Sequence, residues 1–419
     1  MNKILNFSSQ HQTDQTLITA LDVGTTKICA LVGRVLVDGS IDIIGVGKAP
    51  SEGLKKGVVV DVALTVESIR AAVKEAELMA GVSIDSVVVG ISGGHIQSRN
   101  AYGAVPIERG QVTQQDIGRV IAAAKAIPLA EGQQILHVLP QFFSIDGHER
   151  LQDPLGMHGI RLETQIHIIT GSMYSVQNLI TCCEKAGVRV SDLVLEQLAS
   201  GHAVLNEDER QLGVCMIDIG GGTSDVALYQ YGSIRHTMVL PIAGNHFTND
   251  LAVGLRTTLK EAERIKKEYG LASMAFLCED RAIDVEMVQG GFHHPVMLST
   301  VTEILQARSQ ELLSVIHEEI LGRNMAHILV SGVVLTGGGS LLDGLDEVAK
   351  EIFSVPVRVG KPRLPLASPE MLKSPIYATG YGLLLYAVEK SLQEVSYDVT
   401  STNVARILHR MKSWVSDFF

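Results

Sequence analysis

A short glycine-centred motif occurs twice in this 419-residue sequence and constrains the fold more than any other feature. Residues 215–228, CMIDIGGGTSDVAL, form a strand pattern that reaches Asp218, breaks at three glycines and resumes as a second strand. Residues 19–31, TALDVGTTKICAL, follow the same plan around Asp22. Such a break between apolar strands is typical of a β-hairpin turn. Because the motif is repeated, it predicts a duplicated domain.

The second hairpin tip has the composition of an anion site. Glycines lack a Cβ, so backbone N–H groups can point at a ligand, while Thr223 and Ser224 add hydroxyl donors. The carboxylate of Asp218 is suited to the Mg²⁺ that accompanies phosphates. A Walker loop and a dinucleotide fingerprint do not match these residues. We therefore expect a Mg²⁺–phosphate site, and a plain tight turn remains the alternative for either motif taken alone.

A second pair of segments supports the duplication. Residues 86–94, SVVVGISGG, and residues 332–340, GVVLTGGGS, are apolar strands that end in glycine and small polar residues. Each half of the chain therefore contains an early hairpin and a later glycine-ended strand in the same order.

Together, these motifs resemble those of the actin/Hsp70/sugar-kinase superfamily and, within it, closely resemble the FtsA family of bacterial cell-division proteins. The segments that carry the resemblance are ALDVGTTKICALVG, IDIGGGTSDVALY, PIAGNHFTNDLA, VLTGGGSLLDGL and the amphipathic C-terminus. The resemblance extends over nearly the whole chain from residue 16. It implies an α/β fold, a duplicated actin-like ATPase fold in which two halves surround a nucleotide cleft. It also implies an inserted subdomain in the first half and a C-terminal amphipathic helix.

The resemblance also implies how the chain divides into domains. The expected parts are a first core domain (residues 16–93, 163–195 and 374–390), the inserted subdomain (94–162), a second core domain (196–230 and 300–373), its outer subdomain (231–299), a flexible linker (391–403) and a membrane-targeting helix (404–419). The strand predicted at residues 165–170 would resume the first core after the insertion.

The expected cofactors are ATP or ADP with Mg²⁺, bound between the two hairpins. The implied nucleotide-binding residues are Asp22, Gly24, Thr25, Thr26, Lys27, Gly220, Gly221, Gly222, Thr223, Gly244, Asn245, Glu263, Lys266, Gly337, Gly338, Gly339 and Ser340. Asp22 and Asp218 would hold Mg²⁺ mainly through water, because this ion keeps much of its hydration shell. Taken alone, Glu263 and Lys266 also fit an exposed helical ion pair.

Two polar residues begin the helix that links the halves, Glu196 and Gln197. In relatives that hydrolyse ATP, a polar residue near this point positions the attacking water, so both are catalytic candidates. Ordinary solvation of a helix start explains them equally well.

Composition limits the partners and the compartment. Lys and Arg number 35 against 46 Asp and Glu, a net charge of −11, which argues against nucleic acid as a partner and against general adhesion to anionic lipid. No apolar run approaches the roughly 18 residues of a membrane-spanning helix, and the N-terminus lacks a signal-peptide pattern. The five cysteines have no zinc spacing, so we expect reduced thiols in the cytoplasm.

The end of the chain has a separate amphipathic pattern. Eight apolar residues fall within an arc of about 140° on a helix. They are Val404, Ile407, Leu408, Met411, Trp414, Val415, Phe418 and Phe419. Such a stripe often packs on its own core, but a polar stretch before it and basic residues beside it are typical of membrane-surface helices. The FtsA resemblance favours the membrane.

The resemblance implies an ATP-binding protein that polymerises and tethers FtsZ filaments to the cytoplasmic face of the inner membrane at the division site. FtsZ would bind the outer subdomain, and other division proteins would bind the inserted subdomain. Hydrolysis would be slow at most. The alternative is a sugar-type small-molecule kinase, which needs a general base at the γ-phosphate and has no use for such a tail. A chaperone ATPase would need a substrate domain after Val388, where only 31 residues follow.

Overall fold

The computed structural model describes residues 16–36, 38–365 and 368–400. The elements before the helix that links the halves are β1 (Leu17–Val23), β2 (Lys27–Val35), β3 (Ile41–Pro50), β4 (Leu54–Lys55), β5 (Val58–Val59), α1 (Val62–Ala80), β6 (Ser86–Ile91), β7 (Gln97–Pro106), α2 (Gln114–Lys125), β8 (Gln133–Ile145), β9 (His148–Leu151), β10 (Arg161–Ser172), α3 (Met173–Ala186) and β11 (Arg189–Leu195).

The remaining elements form the second half and the return to the first. They are α4 (Glu196–Val204), α5 (Glu207–Leu212), β12 (Val214–Ile219), β13 (Ser224–Gln230), β14 (Ser233–Leu240), α6 (Gly244–Gly254), α7 (Leu259–Tyr269), β15 (Ala282–Glu286), β16 (His293–Met297), α8 (Leu298–Gly322), β17 (Val333–Thr336), α9 (Leu345–Phe353), β18 (Val357–Val359) and α10 (Ala378–Thr400). Short 3₁₀ helices lie at Met274–Phe276, Ala326–Ile328, Gly338–Leu341, Glu370–Lys373 and Pro375–Tyr377.

The two halves are built on sheets of the same topology. The first sheet has the strand order β11-β6-β1-β2-β3, and the second has the order β14-β13-β12-β17-β18. In each sheet a hairpin pairs antiparallel, the next strand extends it, and a later strand runs parallel to the first hairpin strand. The duplicated fold predicted from the paired motifs is therefore confirmed.

Helix ends lie at residues that can provide hydrogen bonds or backbone conformations suited to a helix terminus. Asp61 caps α1 by accepting a hydrogen bond from the Leu64 N–H, and Gly81 ends the helix in the left-handed region with φ 68°. The apolar residues of α1, including Ile69 and Val73, are buried against β2 and β3. One large apolar core is centred on the first half and extends onto the second sheet through residues such as Met216 and Tyr229, and a second core lies within the second half.

The inserted subdomain has a separate four-stranded sheet in the order β7-β10-β8-β9, with α2 packed on it. The strand predicted at residues 165–170 for the first core is instead part of β10. It pairs with β7 from Arg161 to Thr170 and with β8 on its other side. A short buried apolar run does not show which sheet it joins, so the insertion extends further than residue 162.

Two other predicted limits also need correction. Residues 233–240 form the edge strand β14 of the second core sheet, although we assigned them to the outer subdomain. That subdomain is instead formed by α6, α7 and the β15–β16 hairpin. The linker predicted from residue 391 is helical as far as Thr400, because this stretch contains no glycine or proline to end α10. Residues 401–419, with the predicted membrane helix, lie outside the described residues.

Four cysteines are buried, as expected for core thiols, and Cys278 is exposed. Among the described residues, we find no helix with the length and apolar character needed to cross a membrane.

The helices α4 and α10 cross between the halves at a close approach. A Cβ on Gly382 of α10 would overlap the carbonyl group of Ala199 on α4. We expect Gly382→Ala to lower the free energy of unfolding by about 1–3 kcal/mol, because the helices would have to move apart. Gly118→Ala on α2, where a Cβ meets no atom within 4 Å, is the matched control. The control should raise the free energy of unfolding, measured with urea, by about 0.5–1 kcal/mol. Equal changes in the two variants would contradict the close approach of α4 and α10 as the cause.

Candidate functional site

The tips of the two predicted hairpins face each other across the cleft. Each tip is closed by a backbone hydrogen bond, from Gly24 N to Lys27 O at 3.1 Å and from Gly220 N to Thr223 O at 2.9 Å. A Cβ on Gly221 would overlap the Thr26 hydroxyl group. Glycine is therefore needed because the hairpins approach each other, as well as to leave backbone N–H groups accessible.

Asp22 and Lys27 form the first-half side of the cleft. The Lys27 ammonium lies 3.6 Å from an Asp22 carboxylate oxygen and donates a hydrogen bond of 2.5 Å to the Ile376 carbonyl. Burial raises the pKa of Asp22, and the charge of Lys27 opposes that rise only in part.

Asp218 is held by both crossing helices. The hydroxyl groups of Ser200 on α4 and Thr379 on α10 both donate to the same Asp218 carboxylate oxygen, and the bond from Thr379 measures 3.2 Å. Burial raises the Asp218 pKa to about 6, and these hydroxyl groups oppose the rise. The carboxylate that we expect to hold Mg²⁺ is therefore tied to the helices that join the halves.

Asp225 is a further carboxylate at this point, which the sequence analysis missed. It faces Asp218 across the hairpin, and it accepts hydrogen bonds from Ser92 at 2.5 Å and from Gln197 at 2.8 Å. Burial is the main cause that raises its pKa to about 7. A charged residue within the apolar strand DVAL was the available signal.

The two catalytic candidates differ in environment. Gln197 is fully buried, and its side-chain amide donates to Asp225 and to the Met238 carbonyl at 3.3 Å. Glu196 is partly exposed, and its pKa is raised well above its usual value by burial and then by the charges of Asp225, Asp22 and Asp218. Glu196 therefore belongs to the carboxylate cluster, whereas Gln197 supports Asp225. A catalytic role of either residue stays a prediction.

The start of α6 lies against the second hairpin. Gly244 N donates to Gly220 O at 3.0 Å, and Asn245 N donates to Gly221 O at 2.8 Å. The Lys266 ammonium lies 2.6 Å from Glu263 and donates to the Gly244 carbonyl at 3.0 Å. The i,i+3 pair on α7 is therefore more than an exposed ion pair, because Lys266 links α7 to the start of α6.

The glycine-ended strand of the second half reaches the same end of the sheet. β17 pairs in parallel with β12, and Gly337 follows directly with φ 79°. A Cβ on Gly337 would overlap the Asp218 carboxylate, so this turn packs against the site. Ser340 donates to the Gly337 carbonyl at 2.7 Å, and Gly338 and Gly339 lie between them in the Gly338–Leu341 turn.

The cleft thus concentrates acidic groups. The ammonium of Lys27 acts on three of its carboxylates, Asp22, Glu196 and Asp218, and the fourth, Asp225, interacts with Asp218 and Asp22. Within residues that the structure describes, no three His, Cys, Asp or Glu side chains are placed to ligate one metal ion directly. Carboxylates in this arrangement fit a cation that keeps its own water ligands.

The fold and the facing hairpins define the class: an actin-like ATPase fold. A solved type IV pilus PilM–PilN complex matches with a TM-score of 0.63 at 17% identity, covering 88% of this chain and 98% of the other. MreB5 of Spiroplasma citri bound to ADP matches with a TM-score of 0.55 at 15% identity, covering 90% and 98%. At such identities these matches show the fold alone.

The family follows from closer relatives. The models described as "Cell division protein FtsA" and "SHS2 domain inserted in FTSA" match residues 215–382 and 93–170. Cell division protein FtsA of Pseudomonas aeruginosa is 42% identical over 409 residues, covering 96% of this chain and 98% of the relative. That of Escherichia coli K12 is 39% identical over 417 residues, covering 97% and 99%. The chain therefore belongs to the FtsA family of cell division proteins, and the kinase alternative is not favoured.

Asp225 provides a pH-dependent test of charge burial in the cleft. Its folded pKa of about 7 lies above the ordinary 3.8, so the stability that the neutral carboxyl provides at low pH is lost progressively as pH rises from about 4 to about 7. Asp225→Asn keeps an oxygen that can accept from Ser92 and Gln197. We expect it to raise the free energy of unfolding at pH 8, on the order of 2 kcal/mol, and by clearly less at pH 5, where the folded carboxyl is still neutral.

Urea unfolding at both pH values, without nucleotide or Mg²⁺, checks this expectation. A loss of stability at pH 8, or the same gain at both pH values, would contradict burial of the Asp225 charge as the cause.

Proposed function

We propose that this chain binds ATP or ADP with Mg²⁺ between its two halves, assembles with copies of itself, and tethers FtsZ filaments to the cytoplasmic face of the inner membrane at the division site. The observation that carries the nucleotide proposal is the pair of facing glycine hairpins beside buried carboxylates. The fold neighbour MreB5 of Spiroplasma citri, in structures described as bound to ADP and to AMPPNP, supports it.

The residues of the cleft fit such a ligand chemically. Backbone N–H groups and hydroxyl groups of the two tips would face phosphate oxygens, and Lys27 supplies a positive charge. Mg²⁺, when bound, neutralises phosphate charge, and Asp22 and Asp218 would hold it through water. Its charge would also favour the ionised forms of carboxyl groups whose pKa is now raised by burial. On the adenosine side we place the start of α6, Glu263 and Lys266 of α7, and the turn from Gly337 to Ser340.

We expect ATP to act more as a structural ligand than as fuel. Glu196 is no obvious general base, because burial and the neighbouring carboxylates favour its protonated form in the nucleotide-free cleft, so its ionisation would depend on Mg²⁺. Gln197 is already engaged by Asp225. Hydrolysis should therefore be slow at most.

The outer subdomain has the exposed apolar surface that protein binding requires. Val253, Leu259, Val288 and Phe292 are all exposed. The hairpin that carries the last two is joined to the α6–α7 connection by a hydrogen bond from Val288 N to Arg256 O at 3.1 Å. We propose the subdomain as the FtsZ site.

The inserted subdomain offers a second exposed apolar surface. It contains Leu155, Met157 and Ile160, which follow β9. We propose that other division proteins bind the insertion. We also propose self-assembly into filaments, which the family resemblance implies.

Membrane attachment should depend on assembly. Apolar side chains contribute roughly 1.5–3 kcal/mol each if fully buried, but an interfacial helix buries them only in part. Ordering the tail costs on the order of 1–2 kcal/mol per residue. One tail should therefore bind lipid weakly. A filament presents many tails to one surface, so each bound tail raises the effective concentration of the next.

Gly221→Val tests the nucleotide site. The new side chain would overlap Thr26 and push the hairpins apart, so we expect ATP affinity in the presence of Mg²⁺ to fall at least about tenfold by titration calorimetry. Gly322→Val is the control, because a Cβ there meets no atom within 4 Å. Unchanged ATP affinity in a folded Gly221→Val protein would show that the nucleotide site is elsewhere.

Trp414→Glu tests the membrane helix. It replaces the largest side chain of the predicted apolar stripe with a charge, so we expect co-sedimentation with anionic liposomes to be lost while ATP binding is retained. Ser413→Glu adds the same charge on the opposite side of the predicted helix and should bind. If both variants sediment alike, the stripe is not the membrane contact. Equally tight binding by a strictly monomeric form would contradict the role of assembly.

A further inference from the structure

The inserted subdomain belongs to the first half by chain connection, but it also contacts the second half. Its strand β7 follows the outer edge of β14, the edge strand of the second core sheet. Ser98 donates to the Thr237 carbonyl at 2.7 Å, and Asn100 donates to the Arg235 carbonyl at 3.3 Å. From Ser98 to Asn100 the residue number on β7 rises by two, while that of the partner on β14 falls by two, from Thr237 to Arg235. The two strands therefore run antiparallel, and side chains of β7 join them. The insertion thus covers backbone groups that an edge strand otherwise leaves unpaired.

Two buried side chains extend this contact. The Gln141 amide donates to Ile234 O at 2.8 Å and to Arg235 O at 3.2 Å. His167 lies between the two sides, 3.0 Å from the Thr237 hydroxyl and 2.7 Å from the Asn100 side-chain oxygen. The interface of the insertion with β14 is therefore formed largely by polar side chains on backbone carbonyls.

The contact with the first half is of another kind. Ile96 and Ile169 of the insertion are buried in the large apolar core that is centred on the first half, and Leu136 and Leu139 pack against it. Exposing this apolar surface costs roughly 25 cal/mol per Å². A hydrogen bond to β14 contributes only about 0.5–1.5 kcal/mol net, because water can replace it. Of the two interfaces, the one with β14 separates more easily.

The insertion also begins at the nucleotide cleft. Ser92, which donates to Asp225 in the carboxylate cluster, lies directly after β6 and five residues before β7 starts at Gln97. Gly93, with φ 134°, follows it. Asp225 lies on β13 and pairs with Val239 of β14, so the strand that accepts from Ser92 inside the cleft is the direct neighbour of the strand that contacts β7 outside it. Separation of the halves must strain both contacts.

We propose that the inserted subdomain acts as a latch on the nucleotide cleft. While Ser98, Asn100 and Gln141 bind β14, the two halves stay closed. When these contacts break, the cleft opens and bound nucleotide can exchange. This inference rests on the proposed nucleotide function. A partner that binds the outer surface of the insertion and favours one latch position would change nucleotide affinity, and nucleotide would change the affinity for that partner by the same factor.

The first test removes the latch contacts in the full chain. Asn100→Ala combined with Gln141→Ala should release the fluorescent analogue mant-ATP at least about tenfold faster in stopped-flow measurements. Arg109→Ala, an exposed residue between β7 and α2, is the control and should release it at the wild-type rate. Equal rates for the double variant and the control would overturn the proposal.

The second test closes the latch covalently. Ser98→Cys and Thr237→Cys are introduced together with Cys278→Ser, which removes the exposed native thiol. Oxidation should slow mant-ATP release at least about tenfold, and reduction should restore the rate. General destabilisation could explain faster release in the first test, but not slower release that a reductant reverses. Equal rates before and after reduction of a verified disulfide would overturn the latch.

A nucleotide-free measurement separates this inference from the function on which it rests. Hydrogen exchange of residues 219–224, at the second hairpin, should be slower in the oxidised form than in the reduced form, because the cleft opens less often. If wild type fails to bind mant-ATP, the proposed function fails, and exchange alone decides the latch. Equal exchange at the hairpin in both forms would overturn it.

Discussion

Burial of negative charge at the junction of the halves is the constraint on which the rest of the structure depends. Carboxylates in a water-poor cleft cost free energy unless hydrogen bonds, a cation or protonation compensate them. The chain supplies part of this compensation from distant segments. Ser200 and Thr379 come from the two crossing helices, and Ser92 directly follows the strand that precedes the insertion. The remaining excess of negative charge is what a hydrated Mg²⁺ would complement.

The same contacts make the cleft a mechanical junction. Asp218 is bound to α4 and α10, which are the segments that pass between the halves, so a change of charge at the cleft acts on them directly. Asp225 accepts a hydrogen bond from Ser92 of the first half and another from Gln197 of the helix that links the halves. We therefore expect a ligand that alters these carboxylates to change the energy of domain closure, as the proposed structural role of the nucleotide requires.

Local features were predictable from the sequence, and long-range pairings were not. The hairpins around Asp22 and Asp218 were predicted because strand, glycine turn and strand are adjacent in the chain. The Asp225 contacts join residues up to 133 positions apart, and nothing local marks Ser92 as their partner. Strands β10 and β14 were assigned to the wrong parts because an apolar run specifies a strand but not its neighbours. Helix α10 was predicted too short because polarity was interpreted as a linker.

The most direct test of the central claim is an experimental structure of the full chain with Mg²⁺ and AMPPNP. The account predicts phosphates between the tips at residues 24–27 and 220–223, with Mg²⁺ separated from Asp22 and Asp218 by water. The account would be contradicted if the nucleotide bound outside the cleft and the two hairpin tips kept their present contact.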